Sequence, residues 1–238
     1  MKKETLVKRK FRFKETNCTL ISDSEEAINA AISSIKENRE ELEEYVNEHP
    51  EFLYSLSPVH TRKGSRIVEM MADYARKVNV GPMAAVAGVL ADLAVEAMLH
   101  AGSHVAVVEN GGEVSAVSNV PVDVALIAGN HPLSKVLGFR LTSFPIGVAT
   151  SSALFSHALS LGEAEVVTIF AINAGLADAA ATAIGNMVKG DNPKFAVEKA
   201  VKKAMCIDGV KGVFIVYRDF VGKGGQIPEI IKIKDSLF

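Results

Sequence analysis

The chain has 238 residues, 48% of them hydrophobic and 23% charged, with 26 basic against 28 acidic side chains. That length is ample for a real core, and the composition excludes a disordered chain. A net charge of −2 removes the whole-chain electrostatic case for nucleic acid binding, and two cysteines, Cys18 and Cys206, are too few for a disulfide framework.

Charge runs through Met1 to Phe13 with no apolar segment behind it, unlike a signal peptide. The most apolar stretch, Pro82 to Ala101, is interrupted by Asp92 and Glu96 and dominated by alanine, so it predicts a core helix rather than a membrane span. A cytoplasmic protein, binding neither membrane nor nucleic acid, is the expectation.

Leu6 to Ser22 predicts a β-hairpin turning at Glu15-Thr16-Asn17, with Lys8-Arg9-Lys10 as the solvated face of an edge strand. Ser24-Glu25-Glu26 then opens a helix whose apolar residues run from Ala27 to Tyr45 and which His49-Pro50 ends. Its charged outer face, Lys36 to Glu44, is that of an ordinary surface helix. Glu51 to Lys63 is irregular. Helices are predicted from Ser65 to Val78 and from Gly81-Pro82 onward, the second rich in small residues that let another backbone or a flat ligand come close. Asp92 and Glu96 share one face of it, as a solvent face or as part of a site.

Strands follow at His104–Val108, Val114–Ser118, Val122–Ile127, Leu137–Leu141 and Ile146–Ala149. Between the first two lies Glu109-Asn110-Gly111-Gly112-Glu113, either a plain hairpin turn or a nest of exposed N–H groups for an anion. Thr150-Ser151-Ser152 is placed in a turn after the last of these strands. Its three hydroxyls suit phosphate or ligand hydroxyl groups, or else a capping cluster. His157 in the same turn is the natural candidate for catalytic acid–base work near neutral pH, or a structural histidine. A buried strand, Glu165–Ala171, precedes a helix from Asn173 to Val188, in which Asp178 and Thr182 are four apart and share a face. That pair suits a hard cation such as Mg²⁺; alternatively Asp178 complements the helix dipole and Thr182 bonds back to a carbonyl. A helix from Pro193 to Met205 follows. Val210–Phe220 and Ile227–Ile233 predict a closing hairpin around Gly222-Lys223-Gly224-Gly225.

Three segments taken together, Gly81-Pro82-Met83-Ala84-Ala85-Val86-Ala87-Gly88 with Asp92, Val108-Glu109-Asn110-Gly111-Gly112-Glu113, and Thr150-Ser151-Ser152 through His157, Ser160 and Gly162 with Ala177-Asp178-Ala179-Ala180-Ala181-Thr182 behind it, resemble a family of ApbE-related proteins of archaea and bacteria. The likeness runs from about Phe52 to Val188 and extends, more distantly, to the ApbE flavin transferases, which move FMN from FAD onto a Thr or Ser using Mg²⁺. It implies an ApbE-like, T-fold-like α/β (α+β) arrangement of helices packed on antiparallel sheets. A single domain over residues 1–238 is expected, with the hairpin and helix of residues 6–48 belonging to it.

By the same resemblance, Gly88, Asp92, Gly111, Gly112, Glu113, Thr150 and Ser151 fall on cofactor-binding positions, flanked by Asn110 and Ser152, and Asp178 with Thr182 on the metal position. Mg²⁺ and FAD or FMN are the implied cofactors. Where the transferases carry a lysine just before the helix glycine, this chain has Ala87, which argues against transfer of FMN to a protein. The expected function is therefore metal-assisted binding of a phosphate-containing, flavin- or nucleotide-type small molecule. The resemblance also implies an alternative, a non-enzymatic component of sulfur metabolism serving sulfide incorporation into homocysteine, with a sulfur-transfer enzyme as partner. A third reading is a metal-free structural protein whose alanine-rich helix is buried in a homo-oligomer. The first reading requires segments about a hundred positions apart to meet in one polar hollow.

Overall fold

The computed structural model describes residues 6–61, 64–126, 132–134, 136–152 and 161–233. Strand β1 (Val7–Phe13) and strand β2 (Thr16–Ser22) pair from Val7↔Ser22 to Phe13↔Thr16, so the turn is the two residues Lys14 and Glu15, one place earlier than the sequence predicts. Lys14 has φ +54° and takes the left-handed conformation that so short a turn requires.

Helix α1 (Glu25–Glu48) begins as expected, with the Ser24 side chain accepting from the Ala27 N–H. A five-residue helix, α2 (Pro50–Tyr54), occupies the start of the stretch expected to be irregular, with Pro50 at its first position, where a missing N–H costs nothing. Helix α3 (Arg66–Val78) ends on Asn79 at φ +60°. The third predicted helix starts as a 3₁₀ turn over Pro82–Ala85 and continues as α4 (Val86–His100).

Then come β3 (Ala106–Asn110), β4 (Glu113–Val117), β5 (Val122–Ala125), β6 (Leu137–Leu141), β7 (Ile146–Ser151), β8 (Val166–Ala171), α5 (Ala174–Gly185), α6 (Pro193–Ala204), β9 (Val210–Tyr217), β10 (Phe220–Gly225) and β11 (Glu229–Lys232). Strand β7 is longer than predicted, so Thr150 and Ser151 belong to the strand and not to a turn after it.

The end of the chain differs most from expectation. The hairpin turn is at Arg218 and Asp219, and the glycine-rich segment is itself strand β10, paired with β9 from Phe220↔Tyr217 to Gly225↔Gly212. Helix α6 explains those glycines: a Cβ on Gly222 would lie 2.2 Å from Val197 Cγ1. Strand β11 does not return to β9; it joins β6 in a separate sheet.

Eight strands form one sheet in the order β1-β2-β3-β4-β7-β8-β9-β10, and three form another in the order β11-β6-β5, every pair antiparallel. Side-chain alternation along the large sheet separates two cores. On one face Val107, Val114, Val148, Phe170 and Phe214 pack against Phe139 and Leu141 of the small sheet. On the other, Leu20 and Val108 pack under α1 and α4, while Ala149, Ile169 and Ile215 pack under α5 and α6.

Helix α3 covers α4 and α5 from outside through Met71, Ala72 and Ala75. The segment Pro82–His100 is apolar and long enough to cross a bilayer. Here α4 is the central helix of the layer, between α1 and α5, and burial on nearly every side accounts for its composition.

Candidate functional site

Strands β4 and β7 pair over only three positions, Val114↔Val148, Ser115↔Gly147 and Ala116↔Ile146. Beyond Val114 the tip of the β3–β4 hairpin and the end of β7 part, and a cavity of about 960 Å³ opens there. It is lined by Asn110, Gly111, Gly112, Glu113, Thr150, Ser151, Ser152, Asp178 and Thr182. Nine of the residues singled out from sequence therefore meet in one hollow. Gly88 and Asp92 are not in its wall, and His157 lies outside the described residues.

Two buried carboxylates, Asp178 and Glu113, line it. Burial pushes the Asp178 carboxyl up to about 7. The Glu113 carboxyl is likewise raised, by burial first and by the charge of Asp178 second. One oxygen of Asp178 accepts the Gly88 N–H at 3.0 Å, in the first turn of α4. Thr182, one helical turn beyond Asp178, lines the same cavity. Among the described residues no three His, Cys, Asp or Glu side chains form a ready-made metal cluster. The donor set is one buried acidic pair with a neighbouring hydroxyl. That suits a hard cation that keeps several waters or takes oxygens from its ligand.

Asp92 mirrors Asp178 and has a different role. Its Oδ1 accepts the Ala174 N–H at 2.9 Å and the Ser115 hydroxyl at 2.7 Å, and its Oδ2 accepts the Gly175 N–H at 2.8 Å. Helices α4 and α5 thus cap each other: Asp92 of α4 serves the first turn of α5, and Asp178 of α5 serves the first turn of α4. They cross so closely that a Cβ on Gly88 would sit 2.3 Å from the Ala174 carbonyl oxygen. Asp92 borders a separate hollow of about 190 Å³ with Tyr74, Ser115 and Asn173. Its oxygens are engaged by α5 and β4, outside the wall of the larger cavity.

The glycine turn also differs from the anion-nest reading. Gly111 and Gly112 have φ +70° and +118°, which only glycine adopts without strain, and they join Asn110 to Glu113. Their N–H groups are already engaged, Gly111 to the Asn17 carbonyl and Gly112 to the Glu109 carboxylate. The turn shapes the cavity wall without presenting free amides. The Asn110 side-chain amide donates to the Ala87 carbonyl at 3.0 Å and ties the hairpin tip to α4. Thr150 shares a hydrogen bond of 2.9 Å with Thr168 across β7 and β8. Ser152 is 6% exposed, and its hydroxyl has no partner among the described residues.

One whole wall carries no local signal in the sequence. Leu42, Val46, Arg39 and Glu43 of α1, Leu53 of α2, and Met83 line the cavity, as do Val124, Leu126 and Phe139. Glu15 and Thr16 of the first hairpin close it at one end. Neither thiol lines it: Cys18 is buried under α1, with burial and the charge of Glu109 pushing it up to about 12, and Cys206 is exposed.

The family model described as "AbpE bacteria" matches residues 3–209. A UPF0280 protein of Methanococcus vannielii is 40% identical over 232 residues, 95% of this chain and 94% of its own. One of Archaeoglobus fulgidus is 38% identical over 224 residues, covering 93% of each. Among solved structures, the apo flavinyl transferase ApbE of Pseudomonas stutzeri aligns over 98% of this chain and 97% of its own with TM-score 0.56 and 14% identity. The ApbE protein of Thermotoga maritima aligns over 97% of both with TM-score 0.55 and 14% identity. These structures share the fold, and the mixed α/β architecture is ApbE-like. With the matched model spanning most of its length and relatives near 40% identity along it, the chain belongs to the AbpE bacteria family and is akin to the UPF0280 proteins.

Proposed function

We propose that the chain binds a phosphate-containing small molecule of flavin or nucleotide type in this cavity, together with a divalent cation at Asp178 and Thr182. The observation that carries the reading is the buried, mutually repelling pair Asp178 and Glu113, opening on a cavity of about 960 Å³. A volume at the upper end of ligand pockets suits a large ligand. One wall is apolar, with Leu42, Val46, Leu126 and Phe139, and suits a ring system. The hydroxyls of Thr150, Ser151 and Ser152 suit the polar part.

Charge supports the cation. Among the described lining residues, Glu15, Glu43, Glu113 and Asp178 face a single basic side chain, Arg39. A phosphate would be repelled by that surplus. A bound Mg²⁺ would reverse it and polarise a phosphoryl oxygen. The Pseudomonas stutzeri neighbour is a flavinyl transferase, which supports a flavin as ligand. Ala87 lines the cavity where the resembling transferases carry lysine, so FMN transfer onto a protein is not part of the proposal. His157 keeps its proposed role as the acid–base group.

Thermal unfolding tests this directly. Mg²⁺ or Mn²⁺ with FAD, FMN or ADP is expected to raise Tm by several degrees at ligand well above Kd, and Asp178→Ala to abolish the metal-dependent part. Absence of a shift with every flavin and nucleotide, with and without metal, refutes it.

A further inference from the structure

Arg39 is the one cation among the described residues of the cavity wall, and its environment is unusual. Its side chain is only 12% exposed, yet its Nε–H is buried with no acceptor. Both its acceptors sit on the same terminal nitrogen: Nη2 donates to Glu15 at 2.6 Å and to Glu43 at 3.1 Å. A guanidinium offers a planar fork of donors, and a buried donor left unbonded is costly. The fork is half used.

The two acids hold Arg39 unequally. Glu43 lies on α1 one turn from Arg39 and also pairs with Lys14, so its charge is shared. Glu15 is 82% exposed and sits in the two-residue turn between β1 and β2. An exposed carboxylate on a turn binds weakly and exchanges readily. The turn also lies beside the glycine tip, because Asn17, just past it, accepts the Gly111 N–H. Arg39 therefore stands at the hairpin end of the cavity, on a different element from Asp178.

We propose that Arg39 selects the ligand through a phosphate group at this end of the cavity, and that Glu15 occupies the guanidinium in place of that phosphate until the ligand arrives. A phosphate would take the Nε–H and the Nη2–H together, fill the buried donor, and release Glu15 to solvent. The inference rests on the cavity being a ligand site, and it adds a second anion contact independent of any cation.

The test compares FMN with riboflavin, which differ by one phosphate, with and without Mg²⁺ by calorimetry and thermal shift. Arg39→Gln is expected to weaken FMN about tenfold and leave riboflavin unchanged. Arg39→Lys keeps the charge without the fork and should recover only part of that loss. Glu15→Gln removes the competitor and should tighten FMN a few-fold. If Arg39 only clasped the hairpin to α1, Arg39→Gln would lower Tm and move both ligands alike, and an unchanged FMN-to-riboflavin ratio overturns the proposal. If the wild type takes up no flavin, inorganic pyrophosphate decides. Arg39-dependent pyrophosphate binding upholds this inference while the flavin reading falls, and no binding overturns both.

Discussion

Asp178→Asn separates the cost of the buried carboxylate from its use. The folded carboxyl titrates near 7 instead of 3.8 because burial penalises its charge. Between those values the folded chain keeps a proton that the unfolded chain has released, so the native state binds more protons and stability falls as pH rises. Above about 7 the loss is complete. Three units at about 1.4 kcal/mol each set an upper bound near 4 kcal/mol, and water in the cavity reduces it to about 1–3 kcal/mol. Asparagine can still accept the Gly88 N–H and carries no charge. Its removal also relieves Glu113, whose carboxyl the Asp178 charge helps to raise. The variant should therefore melt higher than wild type at pH 8, by roughly 2–4 °C per kcal/mol for a chain of this size, with an advantage at least halved at pH 5. Added Mg²⁺ should narrow the gap at pH 8 by stabilising only the wild type. Urea unfolding at both pH values, with and without Mg²⁺, measures all of this. Parallel pH profiles for the two proteins would mean that the buried carboxylate carries no burial penalty.

Asp92→Ala strands the Ala174 and Gly175 N–H groups and the Ser115 hydroxyl, and should cost about 3–5 kcal/mol in urea unfolding. A loss below about 1 kcal/mol would show that the α5 cap is dispensable. Gly88→Ala puts a methyl group 2.3 Å from the Ala174 oxygen. Its gain in helix propensity, about 1 kcal/mol, does not offset overpacking of about 1–3 kcal/mol or more against rigid backbone, so Tm should fall; an unchanged Tm would mean that the helices can part.

Local patterns that reflect local causes were readable from the residues. Ser24 before Glu25-Glu26 marked the start of α1, and Asn110-Gly111-Gly112 marked a hairpin, because caps and tight turns are set within a few residues. The four-residue spacing of Asp178 and Thr182 put both on one wall of the cavity. Where a distant element decides, the local pattern misleads. Glycines of β10 looked like a turn, but they make room for Val197 and Val201 of α6, a contact that nothing within the segment records. Likewise Arg39 and Glu43 looked like the solvated side of an amphipathic helix. They reach the cavity because α1 packs along α4, whose Val86, Ala87 and Leu90 line the same hollow. Asp92 and Asp178 share the same small-residue surroundings, and what tells them apart is where they open: the oxygens of Asp92 are held by α5 and Ser115, whereas Asp178 accepts from the start of α4 and lines the cavity.

The mutual capping of α4 and α5 has a practical consequence. Asp178 belongs at once to a helix terminus and to the cavity, so a guest that recruits its oxygens competes with the Gly88 and Ala87 amides. The exchange rates of those two amide protons become an internal gauge of occupancy, one that can be followed by NMR while screening compounds whose identity is still open.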